Sequence, residues 1–376
     1  MKAKAMICHL TSVHYVFDIR IFHKQLRALS GAGYDVSLIA QHEKDCTIDG
    51  IRIIALPAPK NRLQRMFGLT LKLLTRAIKI KPDLYHFHDP ELIPVGIVLK
   101  LVTRKKVIYD VHEDYPEKIL TKFWLPPFLR RVMSTLAAAA ERVAAHLLDG
   151  IVTVTDDIEK KFSTSRARVV QVRNYPELKA LPSRERVPRG GEGAVLIYAG
   201  LLNEERGIYQ LVQAMELIDA RREITLRLLG RFDSIDFQRK VEQLRGYERV
   251  DYRGWLEQEE VWANYMEADI GLVCIHPLKH LTVALPNKLF EYMSAGLPVI
   301  ASDFALWKEI IGASRCGLMV NPMVPGEIAA AVEYLLANPD RRKEMGENGR
   351  RMVFLRYTWA RESRKLLDFY NKILQT

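Results

Sequence analysis

The stretch LPNKLFEYMSAGLPVIASD, residues 285–303, carries the local signals that decide the fold around it. Pro286 suits the first turn of a helix, where the backbone N–H groups have no partner within the helix. Gly296 can adopt the left-handed conformation that ends a helix, and Pro298 prevents the helix from restarting. The apolar residues 299–301 then predict a short buried strand.

The start of this helix is a candidate site for an anion. A loop that runs into a helix presents free N–H groups and the positive end of the helix dipole, which together favour a phosphate. Lys288 adds a full charge in the first turn, and Glu291 shares its face of the helix three residues later. The two could hold the diphosphate and the ribose hydroxyls of a nucleotide. A capped surface helix with an ion pair explains the same spacing equally well.

Residues 285–303 resemble the nucleotide-sugar-binding signature of the GT-B glycosyltransferases, specifically of the retaining family 4. Glu291 matches the second of the two glutamates in the usual signature, whereas Val283 stands in place of the first. The Pro-Asn-Lys sequence is similar to a subset of GT-B enzymes in which the lysine binds the diphosphate. The resemblance implies donor-binding residues at Pro286, Asn287, Lys288, Leu289 and Glu291.

Length and composition indicate a protein of two ordinary domains. The chain has 376 residues, of which 48% are hydrophobic, so each domain can bury a full core. Its longest apolar stretches are interrupted by charges and predict no transmembrane helix. The first residues are too short and polar for a secretory signal and predict a strand. The four cysteines follow no zinc or disulfide spacing and indicate buried thiols in a cytosolic protein: Cys8, Cys46, Cys274 and Cys316.

The positive charge is confined to one half of the chain. Residues 1–180 contain 29 Lys and Arg against 18 Asp and Glu, whereas the remainder contains 27 of each. This asymmetry predicts that the first domain faces an anionic surface, and we expect a membrane and not a nucleic acid.

Strand and helix patterns alternate through both halves, which predicts an α/β protein with two doubly wound, Rossmann-like parallel sheets. The proline-containing stretch 181–193 is the best linker. The predicted domains are residues 1–182, on the acceptor side, and residues 183–356, which bind the nucleotide sugar. The GT-B resemblance implies that they face each other across a cleft, and that a helix in residues 357–376 returns to the first domain.

Three polar clusters in the first half are similar to the acceptor-side loops of family 4. They contain Asp18 with Arg20, His88 with Asp89, and His112. The resemblance implies that His112 contacts the donor sugar and that Asp18 and Arg20 lie on the acceptor side. Histidines and carboxylates also invite a metal interpretation, but their spacings match no compact site and no Asp-x-Asp pair is present. We therefore predict no metal.

The second half offers a further phosphate cradle after its first strand. Gly200 follows that strand and Arg206 stands near the next predicted helix. The family usually has an arginine after the glycine, where this chain has Leu201, and a lysine where it has Arg206. Arg231 follows the next strand, and Gly254 stands where the family positions the base.

The resemblance implies a glycosyltransferase that moves a sugar from a nucleoside diphosphate donor to a hydroxyl acceptor, with retention. Lys288 and Arg206 would hold the diphosphate and Glu291 the ribose, without a metal or other cofactor. The chain has no Gly-x-Gly-x-x-Gly after its first strand and no P-loop, which argues against a dinucleotide oxidoreductase and a P-loop kinase. A GT-B nucleotide-sugar epimerase and a catalytically weakened, membrane-recruiting subunit remain alternatives, the latter because of Leu201 and Val283.

Residues 59–81 carry seven cations and no acid, with Leu63, Met66, Phe67, Leu71 and Leu74 at helical spacing. Phe123 and Trp124 add aromatic residues beside Arg130 and Arg131, a composition typical of an interfacial anchor. These features predict a peripheral protein on the cytoplasmic face of the membrane with a lipid-linked acceptor. A core-facing helix with a solvated basic back is the alternative interpretation of residues 59–81.

Overall fold

The computed structural model describes residues 4–61, 64–122, 125–177 and 193–375, apart from the side chains of Phe67 and His280. The chain divides into two compact units. The first comprises Met1–Asn174 and Trp359–Thr376, and the second comprises Tyr175–Thr358. Each unit contains a sheet of mainly parallel strands with helices, which confirms the predicted fold class.

The sheet of the first unit has eight strands in the order β3-β4-β2-β1-β5-β6-β7-β8. Every neighbouring pair is parallel except β3 with β4. The central strands are buried on both faces, which explains why they are almost continuously apolar. The strands are β1 (Met6–Tyr15), β2 (Asp35–Gln41), β3 (Cys46–Ile48), β4 (Ile51–Leu56), β5 (Leu84–Phe87), β6 (Lys106–Val111), β7 (Gly150–Thr153) and β8 (Arg168–Gln171).

The helices of the first unit connect these strands. They are Ile19–Leu26, Arg27–Gly31, Gln64–Leu69, Thr70–Ile80, Ile93–Thr103, Tyr115–Leu120, Pro127–Leu147 and Asp156–Lys161, with a short 3₁₀ turn at Pro90–Leu92. The terminal helix, Trp359–Leu374, also belongs to this unit. Its Leu366, Phe369 and Tyr370 are buried in one core with residues of β1 and β2, as the resemblance implies.

The second unit has a six-stranded sheet in the order β11-β10-β9-β12-β13-β14, parallel throughout. Its strands are β9 (Ala194–Ala199), β10 (Ile224–Leu229), β11 (Val250–Gly254), β12 (Ile270–Val273), β13 (Val299–Ser302) and β14 (Gly317–Val320). Its helices are Ile208–Leu217, Ile235–Glu242, Gln258–Glu267, Lys279–Thr282, Asn287–Ser294, Ala305–Ser314, Pro325–Ala337 and Pro339–Arg356, with a 3₁₀ turn at Arg245–Arg249.

Residues 285–303 form the helix and the strand that their sequence predicts. The helix runs from Asn287 to Ser294, so Pro286 caps it and does not lie within its first turn. Gly296 has a φ of 72°, the left-handed conformation expected after the helix. The strand that follows, β13, is buried along its whole length because it lies between β12 and β14.

Three short edge or near-edge strands were not predicted, namely β3, β8 and β14. Each has only three or four residues, too few to show a clear period. Residues 181–192 of the predicted linker lie outside the described residues. The same holds for Arg62, Leu63, Phe123 and Trp124.

The basic helical region of residues 64–80 buries a different side from the one its apolar residues suggest. Leu69, Leu73 and Ala77 are buried, whereas Met66 and Leu71 are exposed. The predicted apolar stripe is therefore not the side of the helical region that is buried. The alternative of a core-facing helix with a solvated basic back agrees better with the structure. Two of its cations are paired within the unit, Arg65 with Glu91 at 3.1 Å and Arg76 with Asp45 at 3.5 Å.

Among the described residues, no helix is both long and apolar enough to cross a membrane.

Candidate functional site

Glycines line the carboxyl ends of three neighbouring strands in the second unit. Gly200 follows β9, Gly230 follows β10, and Gly254 ends β11, all with positive φ. The N–H of Gly230 donates to the carbonyl of Gly254 at 2.7 Å. A Cβ on Gly230 would lie 1.9 Å from the carbonyl oxygen of Gly200, so no larger residue fits there. The backbone is thus closely packed at this edge, where open α/β sheets bind ligands.

Lys288 directs its ammonium into this glycine-lined edge. A Cβ on Gly200 would lie 2.9 Å from Nζ of Lys288. The same Nζ lies 3.6 Å from the centre of the Tyr198 ring. Burial holds the pKa of Lys288 well below its usual value, the charge of Arg206 lowers it further, and Glu291 opposes both. The ammonium is therefore short of solvation and of negative charge.

Arg206 is the second cation of this region. It lies immediately before Gly207, whose left-handed backbone caps the helix Ile208–Leu217. Within the described part of the chain, neither Arg206 nor Lys288 forms an ion pair. The charge of Arg206 disfavours the ammonium of Lys288 more than Glu291 favours it, and a bound dianion would relieve this repulsion.

The other predicted residues of the second unit take varied positions. Glu291 accepts a hydrogen bond from the Tyr265 hydroxyl at 3.0 Å. Arg231 is exposed, with its guanidinium 5.5 Å from the centre of the Trp255 ring, next to Gly254. Leu289 is fully buried in the core, so its side chain cannot reach a ligand, which corrects the expectation for this residue. Pro286 and Asn287 begin the helix that carries Lys288.

A buried carboxylate organises the candidate site of the first unit. Asp110 Oδ2 lies 3.2 Å from His112 Nε2 and 3.3 Å from His88 Nδ1, and the two imidazole nitrogens lie 3.1 Å apart. Burial alone would raise the pKa of Asp110, but Arg20 and His112 hold it well below its usual value. His112 is the half-buried member of this group.

Arg20 lies in the interior and not on a substrate-binding surface. It is 5% exposed, and its guanidinium makes two hydrogen bonds to Asp110, at 2.8 and 3.1 Å. A third donor binds the carbonyl of Val172. The expectation that Arg20 contacts an acceptor is therefore corrected, because its position and bonding are those of a residue that holds Asp110 in place.

Asp18 has a structural task in addition to its predicted one. Its Oδ1 caps the helix Ile19–Leu26 by accepting from the N–H groups of Arg20 and Ile21. Its Oδ2 lies 3.3 Å from Nδ1 of His14, a residue that the sequence analysis missed. Burial disfavours the charge on His14, but Asp18 and Asp89 outweigh burial and raise its pKa.

Asp89 is buried and binds residues in the second half of β1. It accepts hydrogen bonds from the Thr11 hydroxyl at 2.8 Å and the Ser12 N–H at 2.6 Å. Its other oxygen lies 3.5 Å from His14 Nε2. Asp89 therefore fixes His14 beside His112, whose ring centre is 5.2 Å from that of His14.

Two groups in the first unit bring metal-ligating atoms within 4.8 Å of one another. One is His9, His86 and His88, and the other is His88, Asp110 and His112. The sequence spacing does not show these groups, because the fold brings their members together from different strands, and the absence of a metal stays a prediction. Asp110 already accepts from Arg20 and from Gln25 Nε2, the latter at 2.6 Å, which leaves its oxygens little capacity for a cation.

A signal for this cluster was present in the sequence. His86 lies on β5 and His88 directly follows that strand, while Asp110 lies on β6 and His112 directly follows it. Each pair is two residues apart, the spacing that places side chains on one side of a sheet. Phe87 pairs with Tyr109 in the parallel register of these strands, which places His88 beside Asp110. His9 on β1 pairs directly with His86.

Models of two glycosyltransferase families match the chain. "Glycosyltransferase Family 4" matches residues 20–174, and "Glycosyl transferases group 1" matches residues 193–338. The chain is 24% identical to a glycogen synthase of Mycobacterium tuberculosis over 90% of this chain and 87% of that protein. It is 28% identical to a GDP-mannose-dependent phosphatidylinositol monomannoside mannosyltransferase of the same species, over 48% of each chain.

The fold is also similar to solved structures. The structure of HepE from Anabaena, solved in complex with UDP, superimposes with a TM-score of 0.74 at 13% identity. That match covers 98% of this chain and all of HepE. At this level of identity the likeness concerns the fold.

Proposed function

The chain belongs to the family 4 glycosyltransferases of the GT-B fold, and on this premise we propose that it transfers a sugar from a nucleoside diphosphate donor to a saccharide or glycolipid hydroxyl. The observation that carries the proposal is the pair of cations at the glycine-lined edge. Lys288 and Arg206 interact there without an ion-pair partner among the described residues, and the absence of a side chain at Gly200 lets the Lys288 ammonium lie at this edge.

The two cations suit the leaving group of such a transfer. Departure of a nucleoside diphosphate places negative charge on its phosphate oxygens, and positioned cations stabilise that charge in the transition state. Lys288 lies over the Tyr198 ring, so its ammonium is held in place without being neutralised. Tyr265 orients Glu291, which we assign to the ribose hydroxyls. The structure of HepE, which has a similar fold, contains UDP, and this supports a nucleotide ligand for the chain.

The first unit supplies the groups that we assign to the sugars. His112 contacts the donor sugar, and Asp18 lies on the acceptor side together with His14. The transfer retains the anomeric configuration without an enzyme nucleophile, and an oxygen of the departing diphosphate takes the proton of the acceptor. No step of this scheme requires a metal.

A lipid-linked acceptor at the cytoplasmic face of a membrane is part of the proposal. The helix Pro127–Leu147 supports this part of the proposal better than residues 59–81 do. It leaves a stripe of helical period exposed: Leu129, Val132, Leu136, Val143 and Leu147. Phe128 at its start is 78% exposed and precedes the exposed Arg131. An apolar stripe beside cations, in the half of the chain with the positive excess, suits an anionic bilayer.

Incubation with UDP- and GDP-sugars and a mixed glycolipid extract tests the proposed reaction. We expect nucleoside diphosphate release that depends on the acceptor and equals the sugar transferred. A sugar altered without release of nucleoside diphosphate would identify an epimerase instead. Calorimetry on the same donors separates the remaining case, because a catalytically weakened subunit would bind none of them.

A further inference from the structure

Four histidines and one tyrosine form a continuous hydrogen-bonded chain inside the first unit. His112 Nε2 lies 3.1 Å from His88 Nδ1, and His88 Nε2 lies 2.9 Å from His9 Nδ1. His9 Nε2 lies 3.0 Å from the Tyr370 hydroxyl, which also contacts His86 Nδ1. All members except His112 are buried. The chain therefore links a half-buried imidazole to the terminal helix.

Each buried imidazole in the chain carries one proton. Burial lowers the pKa of His9 and His86 well below the usual value and lowers that of His88 to about 4, so all three are neutral near pH 7. A neutral imidazole has one N–H donor and one acceptor nitrogen. A residue that accepts a proton on one side must donate on the other side, so all the hydrogen bonds run the same way. They run either inward, from His112 toward His86, or outward, from His86 toward His112.

In the inward direction, His112 donates from Nε2 to His88, His88 to His9, and His9 to the oxygen of Tyr370. The Tyr370 hydroxyl then donates to His86 Nδ1, and the proton of His86 is on Nε2. In the outward direction every donor is reversed, and His112 carries its proton on Nδ1. The direction of the hydrogen bonds therefore determines which nitrogen of His112 carries the proton.

Asp110 distinguishes the two directions. Its Oδ2 lies 3.2 Å from His112 Nε2, 3.3 Å from His88 Nδ1 and 4.0 Å from His86 Nε2. The inward direction turns two N–H groups, those of His112 and His86, toward this carboxylate. The outward direction turns only the N–H of His88 toward it. Two nitrogen lone pairs, those of His112 and His86, then face the negative charge, whereas the inward direction leaves only that of His88 Nδ1 facing it. His86 Nε2 has no hydrogen-bond partner within normal distance, so the field of Asp110 is its main polar contact.

We propose that the chain runs inward, and that Tyr370, through His9 and His88, fixes His112 with its proton on Nε2 and an acceptor at Nδ1. Tyr370, His9 and His88 are then positioning residues, and the terminal helix takes part in defining the site. The consequence for catalysis rests on the proposed role of His112 at the donor sugar. There, His112 accepts a hydrogen bond from a sugar hydroxyl or amine and disfavours a carbonyl or carboxylate.

The tautomer is measured by nitrogen-15 NMR of protein labelled at histidine, with His112→Gln to assign the His112 signals. In the unsubstituted protein we expect His112 to carry its proton on Nε2. In Tyr370→Phe, the N–H of His9 loses its acceptor, and reversal of the chain is the way to avoid a buried unpaired donor. We therefore expect His112 in Tyr370→Phe to carry its proton on Nδ1.

Tyr34→Phe is the matched control. The Tyr34 hydroxyl also donates to the terminal helix, to Asn371 Oδ1 at 2.7 Å, but it lies off the chain. This variant removes the same atom near the same helix and should leave the tautomer of His112 unchanged. A proton on Nδ1 of His112 in the unsubstituted protein would overturn the proposal, whether or not either variant folds. An unchanged tautomer in folded Tyr370→Phe would also overturn it.

Turnover separates this inference from the proposed function. We expect Tyr370→Phe to lower kcat/KM for the donor about fivefold, the equivalent of one neutral hydrogen bond, and Tyr34→Phe to leave it within about twofold. If the tautomer changes while kcat/KM does not, the chain is as inferred but His112 does not face the donor sugar. If neither changes, Tyr370 has no positioning role.

Discussion

The ammonium of Lys288 lies 3.6 Å from the centre of the Tyr198 ring, so an aromatic face and not a carboxylate holds this cation in place. A ring attracts a cation through its quadrupole and leaves its charge intact, whereas an ion pair would neutralise it. Tyr198 is the penultimate residue of β9, and Gly200 follows the strand. The strand thus positions the ammonium of Lys288 through the Tyr198 ring. Because Gly200 has no side chain, the charge of Lys288 remains available to a ligand.

Lys288→Ala should weaken binding of UDP or GDP by roughly ten- to a hundredfold. A charge-assisted bond to a diphosphate in an enclosed site contributes on the order of 1.5–3 kcal/mol. Calorimetric titration measures the effect. Lys308→Ala is the control, because Lys308 is exposed and paired with Asp303 at 2.6 Å. An unchanged dissociation constant in Lys288→Ala would show that the site is misplaced.

Binding of the nucleoside diphosphate should take up protons. Burial and Arg206 lower the pKa of Lys288 in the free protein, and a bound dianion raises it again. The affinity is therefore highest below the lowered pKa and falls as the pH rises through the interval between the two values. Calorimetry at one alkaline pH in buffers of different ionisation enthalpy counts the protons. The Lys288→Ala variant should lose this uptake, and retained uptake would assign it to another group.

Gly230→Ala should destabilise the second unit and damage the nucleotide site. The new Cβ would lie 1.9 Å from the carbonyl of Gly200 at a φ of +138°. Backbone strain of this kind costs about 1–3 kcal/mol, and the displaced Gly200 would shift the space before Lys288. Gly326→Ala is the control, since it has open space in the helix Pro325–Ala337 and should be neutral or slightly stabilising. Urea unfolding compares them, and equal midpoints would contradict the close approach.

Transfer should survive excess chelator after dialysis. The proposed chemistry uses Lys288 and Arg206 for charge stabilisation, and Arg20 and Gln25 already bind the carboxylate of Asp110. Turnover before and after chelation is the measurement, with added Mg²⁺ or Mn²⁺ as the reciprocal test. Loss of activity that a metal restores would assign a cation to the cluster of His88, Asp110 and His112.

Membrane association should depend on the exposed stripe of the helix Pro127–Leu147. We expect the protein to sediment with vesicles that contain acidic lipid and to dissociate at high salt. Phe128→Ser combined with Leu136→Ser should reduce binding severalfold. The control is Leu217→Ser, an exposed leucine in the second unit. Equal binding to neutral vesicles, or unchanged binding of the double variant, would show that the stripe serves another purpose.

The vesicle-binding measurement also tests the basic helical region of residues 64–80. Arg65 and Arg76 are paired with Glu91 and Asp45, so their charges are partly used within the unit. Lys72 and Lys79 are exposed, and no described residue forms an ion pair with either of them. Their replacement by Gln should weaken binding to acidic vesicles more than replacement of Arg65 and Arg76. The reverse order would mean that the paired arginines are released at the membrane.

Local chemistry determined the elements of this protein. Apolar runs and turn residues predicted the strands that build both sheets, and Gly296 marked the end of the helix that carries Lys288. The terminal helix, predicted within residues 357–376, runs from Trp359 to Leu374. The start and end of a helix or strand depend mainly on residues a few positions away in the sequence, so the sequence alone predicts them. The strands β3, β8 and β14 were not predicted. A segment of three or four residues adopts the strand conformation because it pairs with a neighbouring strand, and the local sequence does not show that pairing.

The tertiary structure decided which polar residues meet. The family resemblance placed Arg20 with an acceptor, and the sequence analysis left His9, His14, Asp110 and Tyr370 without a role. In the fold, Arg20 is buried against Asp110, 90 positions away, and Tyr370 reaches His9 across 361 positions. A side chain's partner depends on strand order and helix packing, which bring distant positions within hydrogen-bonding distance. For that reason the proton arrangement at His112 follows from the tertiary structure and not from the sequence around it.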